Sequence, residues 1–331
     1  MTLGKIIVQG YDLNNIDNIK IDELEMVDNI ADLVNLVSSI DNETNIQLYF
    51  RGERKDYDEN ALCPSIYRDS CLEKEEIYFK ESQRFNNLDF SNDKTAIDKL
   101  SRMQHYDIPT RLIDLSEDLL SALYFAIKDK KESDYSDDGY GCLYVLHVNK
   151  AKIKYYDSDA VSVISNLAKV PLGHDSSIEN KEKTKQRINE AAKKNEHEKY
   201  PYEEFNKQKA IGFLLHEIRE DKPYFEAGIN PKHINSILCV KPKYTNNRIH
   251  KQKGAFLLFG INQYDYKKPL KILKRDNNEL CLIKSDLSPI ERVIKIKITN
   301  ILMKDLEKLG ISTPYLFPEL DKVAEYLKTM P

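Results

Sequence analysis

At 331 residues, with 41% hydrophobic and 31% charged, the chain has the composition of a soluble globular protein of one large or two ordinary domains, not of a disordered polymer. No apolar run approaches the roughly 20 residues of a membrane span, and Met1 to Gly10 lacks a signal-cleavage pattern, so a cytoplasmic protein without membrane contact is expected. Five scattered cysteines (63, 71, 142, 239 and 281) without a Cys-x-x-Cys pair exclude a disulfide framework or zinc site, and the net charge of −4 hides a basic tract in the second half.

In chain order, Ile21 to Ile40 predicts a helix, with Leu24, Val27, Ile30, Leu33, Val34 and Val37 in one stripe. Asn45 to Phe50 has strand composition and delivers Arg51 and Gly52 at its end. Leu62 to Arg68 reads as a turn region, followed by charged and mixed helices over Leu72 to Phe85 and Thr95 to Tyr106.

The stretch from Gln104 to Ala126 concentrates polar chemistry in an apolar frame. Pro109 ends the preceding helix, because its ring clashes with a helical predecessor and it has no N–H. Thr110 to Leu115 is then extended, with Arg111, Ile113 and Leu115 on one side and Thr110, Leu112 and Asp114 on the other. Ser116 is expected as the N-cap of a helix whose Leu119, Leu120, Leu123 and Ile127 repeat at helical spacing, with Glu117 and Asp118 at its positive end.

Asp134 to Gly141 reads as a polar loop, Cys142 to Val148 as a strand returning beside the first, and Asp157 to Leu167 as a helix. His174 to Lys209 is rich in Glu, Lys, Asn and Gln and predicts a solvated helical arm or mobile insertion. Ile234 to Pro242 and Gly254 to Gly260 are strands by content, the second apolar enough for burial on both faces, and Glu291 to Ile298 suits a half-exposed strand. Helices over Leu302 to Leu309 and Pro318 to Leu327 follow. Without a βαβ rhythm, the fold class is α+β: a mixed sheet with flanking helices.

From Pro231 to Arg275 there are eleven Lys or Arg and one acid, with Tyr244, Phe256, Phe259, Tyr264 and Tyr266 among them. That interleaving is the composition of a nucleic-acid surface, for which Lys241, Lys243, Arg248 and Lys251 are the candidates. The plainer reading is strands whose solvated lysine faces oppose an acidic remainder. No Walker A, G-x-G-x-x-G, G-x-S-x-G or H-E-x-x-H motif occurs, and the histidines show no metal spacing.

Phe50-Arg51-Gly52-Glu53, Leu62-Cys-Pro-Ser-Ile-Tyr-Arg68, an acidic helix, Gln104-His-Tyr-Asp-Ile-Pro-Thr-Arg-Leu-Ile-Asp114 and Ala122-Leu-Tyr-Phe-Ala126 together resemble the FRG domain family. The likeness runs from about Ile46 to Val148. Arg248 to Phe256 and Leu316 to Asp321 resemble segments of longer members, while Asp107 and Leu115-Ser116 depart from the usual Gly and Trp-Thr or Trp-Ser. It implies an N-terminal helical segment (1–45), an FRG core (46–150) and a C-terminal part (151–331) that completes the same body and carries the charged insertion 174–209.

A weaker resemblance is to ADP-ribosyltransferases, which place an Arg at the end of an early strand and hydroxyls at a later one before an Ala/Phe-Ala helix. It implies an ADP-ribosyltransferase-like fold and NAD as cofactor, in a transferase or NAD glycohydrolase; the resemblance leaves the biological setting open, and a toxin or a defence effector, for instance against phage, is the expectation. Arg51, Gly52, Tyr106, Thr110, Arg111 and Ser116 would then bind the cofactor, and His105, Asp114 and Glu117 would carry the chemistry. The family's usual Glu has no counterpart at Gln252-Lys253-Gly254. Each candidate has a structural counterpart: Arg51 in an ion pair with Asp114 or Glu53, His105 as a loop-holding histidine, Ser116 as a cap.

Overall fold

In the computed structural model, residues 18–40, 43–128, 140–172, 184–245, 247–299 and 302–328 are described. The strands are β1 (Asn18–Lys20), β2 (Asp22–Val27), β3 (Ile46–Glu53), β4 (Leu112–Ser116), β5 (Gly141–Asn149), β6 (Ile153–Tyr155), β7 (Ile237–Lys241), β8 (Gly254–Phe259), β9 (Leu273–Asp276), β10 (Glu279–Ile283) and β11 (Ile290–Ile298). The helices are α1 (Ile30–Ser39), α2 (Glu75–Phe85), α3 (Ala96–His105), α4 (Leu119–Ile127), α5 (Asp159–Asn166), α6 (Thr184–Lys194), α7 (Glu203–Asn206), α8 (Lys209–Asp221), α9 (Pro231–Ile234), α10 (Asn247–Lys251), α11 (Leu302–Lys308), α12 (Thr313–Leu316) and α13 (Leu320–Leu327).

Eight strands form one mixed sheet in the order β2-β11-β5-β3-β4-β8-β7-β6, and β1, β10 and β9 form a second, small antiparallel sheet. The fold is α+β, and β3, β4, β5 and β8 share the large sheet, as the sequence predicts. β5 and β8 are almost continuously buried because each lies between two strands with both faces covered. One face carries Phe50, Leu143, Val145, Ile294 and Ile296 under α1, α4 and α11, and Leu112, Leu258 and Phe256 under α3, α5, α6 and α8. The other face, with Tyr49, Ile113, Leu115, Tyr144 and Leu257, packs on Leu273, Leu280 and Leu282 of the small sheet.

α4 sits directly on β3, because Gly52 has no side chain to hold it off. A Cβ there would collide with the Ala122 carbonyl oxygen and lie 2.5 Å from the Ala126 nitrogen. Gly141 meets the Ala126 carbonyl in the same way. α3 begins at a capping box, in which Thr95 and Asp98 serve each other's backbone N–H groups.

Four expectations are corrected. Residues 22–27 are a strand and not the start of a helix: pairing in parallel with β11 overrides local propensity, and the helix starts at Ile30 behind Asn29, whose side chain accepts from the Asp32 N–H at 2.7 Å. Residues 184–209 are not a solvated arm, since Ile188, Ala192 and Phe205 are fully buried against α8 and its neighbours. Ser116 ends β4, and the cap of α4 is Asp118, whose carboxylate accepts from the Ser121 N–H at 2.9 Å. β11 is an inner strand flanked by β2 and β5, with Lys295 buried by its pairing to Asp56. The polar loop expected at 134–141 lies outside the described residues up to 139, as do 174–183 of the charged stretch.

Candidate functional site

The large sheet forks. β3 and β5 pair at eight successive positions and β4 and β8 at five, yet β3 and β4 meet only at Phe50 and Ser116. Beyond that pair the strands part, and a cavity of about 410 Å³ occupies the fork, walled also by Cys63, Ser65 and Arg68 and by the end of α3.

Arg51 spans the fork. Its Nη1 donates to the Asp114 carbonyl oxygen at 2.8 Å and its Nε to Glu53 Oε1 at 3.0 Å. The expected ion pair with Glu53 is present, whereas Asp114 is met through its backbone. The Asp114 carboxylate is instead held by Gln104, whose Nε2 donates to Oδ2 at 3.0 Å. The Thr110 hydroxyl donates to Gln104 Oε1 and accepts from the Leu112 N–H at 3.1 Å, which fixes the amide's orientation. A hydroxyl, an amide and a carboxylate thus form one chain ending at the cavity.

The opposite wall comes from far along the sequence. Arg248, on α10, donates from Nη1 to the His105 carbonyl at 3.1 Å, and its guanidinium lies 4.5 Å from the centre of the Phe317 ring. Lys128 approaches the same ring at 4.2 Å. Gln252 Nε2 donates to the Leu316 carbonyl at 3.1 Å, and His105 Nε2 and Glu319 Oε1 are 2.6 Å apart. Burial, then the charge of Arg248, pushes the His105 imidazole below its ordinary pKa, against the opposing pull of Glu319. Burial likewise lowers Arg248, which keeps its charge. Six cations line the cavity (Arg51, Arg54, Arg68, Lys128, Arg248 and Lys322) against three carboxylates (Glu53, Asp107 and Asp114).

Of the residues singled out in the sequence, Arg51, Gly52, His105, Asp114 and Ser116 line this cavity; Tyr106, Thr110, Arg111 and Glu117 do not. The close neighbour of Gly52 is helix α4. The Ser116 hydroxyl is committed within the fold, donating to the Gln252 carbonyl at 2.7 Å and accepting from the Asp118 N–H at 2.9 Å. Tyr106 is 60% exposed and its ring packs on His105. Glu117 meets Lys241 at 2.9 Å and the Tyr49 hydroxyl at 3.3 Å. Arg111 is 1% exposed and bonds both oxygens of Glu75, at 2.8 and 2.6 Å, and the Phe259 carbonyl at 2.7 Å. Lys185 joins the same carboxylate. Burial alone would raise the Glu75 pKa, but the two cations outweigh it and hold the carboxyl below its usual range.

The four basic residues read as a nucleic-acid surface each have a separate partner: Lys241 meets Glu117, Lys243 meets Asp98 at 3.3 Å, Lys251 lies over the Tyr315 ring at 4.7 Å, and Arg248 lines the cavity. Among the described residues no three His, Cys, Asp or Glu side chains are grouped to hold a metal ion, and no helix is long and apolar enough to cross a membrane.

The model of the FRG domain matches residues 46–135. This segment is an FRG domain. It supplies β3, the turn region, α2, α3, β4 and α4, and so one side of the fork, with Arg51, Arg68, Gln104 and Asp114. No curated protein and no solved structure matches the chain. Glu53, Arg54, Arg68, Lys128 and Lys322 were not legible as site residues individually. The signal that could have found several of them is the convergence of separated motifs: Phe50 to Glu53, Leu62 to Arg68, the segment from Arg248 and the segment from Leu316 all reach one cavity.

Proposed function

We propose that the fork binds a phosphate-bearing, nucleotide-type ligand, with its anionic part on the arginines and Asp114 presented to its other end. The observation that carries this reading is six cations against three acids around one cavity of about 410 Å³, a size that suits a small ligand. Guanidinium groups favour phosphate because their planar donors match its oxygens. Arg51 keeps donor capacity at Nη2 after its bonds to Glu53 and Asp114.

NAD is the first ligand to test, because Arg51 stands on an early strand where the resemblance to ADP-ribosyltransferases would place a pyrophosphate. The fit is partial. The cations suit a pyrophosphate, while the hydroxyls of Thr110 and Ser116 are engaged inside the fold and do not serve a ribose. In this reading Asp114, oriented by Gln104, stabilises positive charge developing at a ribose carbon. NAD turnover would make the protein a transferase or glycohydrolase of the toxin or defence-effector kind.

The test is calorimetric titration and thermal shift with ADP and NAD, alongside chromatography of released nicotinamide. Saturable binding is expected, weakened about 10- to 100-fold in Arg51→Ala or Arg248→Ala, the range for losing a hydrogen bond to a charged group. If neither ligand binds, the proposal fails. Titration with DNA and RNA oligonucleotides at low salt checks the rival reading, which requires binding that falls steeply as salt rises.

A further inference from the structure

Glu53 directly follows Phe50-Arg51-Gly52 and lines the cavity, with a side chain only 4% exposed. One carboxylate oxygen is engaged: Oε1 accepts from Arg51 Nε at 3.0 Å and from the Leu62 N–H at 3.2 Å. The other, Oε2, is buried and has no hydrogen-bond partner among the described residues. A carboxylate oxygen removed from water without a donor is costly, so such atoms mark places where a partner belongs.

We infer that Glu53 Oε2 receives a hydroxyl group of the ligand and thereby selects a phosphorylated sugar or nucleoside over its deoxy form. The inference deepens the phosphate-ligand reading and rests on it. The donor is a neutral one for two reasons. Arg51 already balances the charge of Glu53, and a cavity with six cations and three acids repels an ammonium group. A sugar phosphate is an anionic molecule that also carries neutral donors. Arg51 then has two tasks, facing the anion and holding Glu53 in place through Oε1.

The competing explanation is Tyr144, whose side chain lies on the same face of the sheet, in register with Arg51 on β5, and whose buried hydroxyl has no hydrogen-bonded N or O among the described residues. Calorimetric titration of the full chain with ADP and NAD, and with their 2′-deoxy and 3′-deoxy counterparts, separates the cases. The wild-type protein should bind the hydroxyl-bearing ligand about 10- to 100-fold tighter than one of the deoxy counterparts. Glu53→Gln, whose amide oxygen still serves Leu62 and Arg51, should cut that ratio at least about fivefold. Tyr144→Phe should leave it unchanged. Wild-type binding without hydroxyl discrimination overturns the role of Glu53 but leaves phosphate binding standing, and that comparison needs no variant to fold. A ratio unchanged in Glu53→Gln, or lost in Tyr144→Phe alone, also overturns it. Absence of binding by any of these ligands removes both proposals.

Discussion

Replacing Gly52 by Ala tests the packing that shapes the fork. The added methyl would lie 2.5 Å from the Ala126 nitrogen, 3.0 Å from the Phe125 carbonyl carbon and closer still to the Ala122 carbonyl oxygen. All three atoms belong to the backbone of α4, so no side-chain rotation relieves the clash. To restore ordinary contact the helix must lift by roughly 1.4 Å, against a core of Leu123, Ala126 and Ile127 that is essentially fully buried. Overpacking of this kind costs about 1–3 kcal/mol, and because backbone is struck the expectation is about 3 kcal/mol. Gly212→Ala is the control of opposite sign: it lies in α8 with nothing near the new methyl, and should be neutral or stabilising by up to about 1 kcal/mol. Urea unfolding followed by circular dichroism measures both. Equal midpoints for the two variants would refute the claim that α4 rests on Gly52. The same lift would carry Phe125 and Lys128, which line the cavity, so ligand affinity should fall with stability.

Within the buried cluster, Glu75→Gln should destabilise by about 3–5 kcal/mol, because it strands the charges of Arg111 and Lys185, whereas Lys185→Met keeps the two bonds from Arg111 to Glu75 and should cost far less. Equal urea midpoints for those two variants would contradict that ordering. His147 is 5% exposed, neither ring nitrogen has a partner among the described residues, and burial, aided by Arg292, pushes its pKa down to about 4. Between the unfolded value near 6.5 and about 4, the unfolded chain binds the extra proton, so this residue subtracts stability as pH falls, by about 3 kcal/mol in full. His147→Leu should flatten that part of the profile; urea midpoints measured from pH 7 to pH 4 that run parallel in both proteins would refute it.

What the sequence disclosed followed from period and composition. β8 was legible because an unbroken apolar run between glycines suits a doubly covered strand, and α3 was expected over Thr95 to Tyr106, where the folded chain starts it with a capping box. β2 was hidden because Leu24 and Val27 fall at helical spacing with Ile30, and only its partner β11, far along the chain, makes it a strand. The helical character of α6 was legible but its burial was not, because Thr184, Lys185 and Asn189 are buried polar residues, and composition reads polarity as exposure. The site divided in the same way. Arg51 and Arg111 both adjoin apolar strand residues and look alike, but Glu75 claims Arg111 for the core while Arg51 crosses the fork. Asp114 was accessible as a polar residue on the other side of β4 from Ile113. Glu53 was not, since the residue's burial comes from strands and turns that meet it only in the folded chain.

The match at residues 46–135 and the physical unit do not coincide. Inside that segment the two strands touch at one residue pair, so nearly all their ladder hydrogen bonds come from outside it, β3 from β5 and β4 from β8. Gly52 and Gly141, one within the segment and one beyond it, admit the same helix α4. The cavity repeats the pattern. Arg51, Glu53, Gln104 and Asp114 stand on the segment, while Arg248, Phe317 and Lys322 close the space from the second half of the chain. The fork exists because β3 and β4 are each fully paired on their outer sides and can part on their inner sides without losing their place in the sheet. A site held open in this way depends on β5 and β8 as much as on its own residues, which is why the separated motifs of this sequence become intelligible only as parts of one sheet.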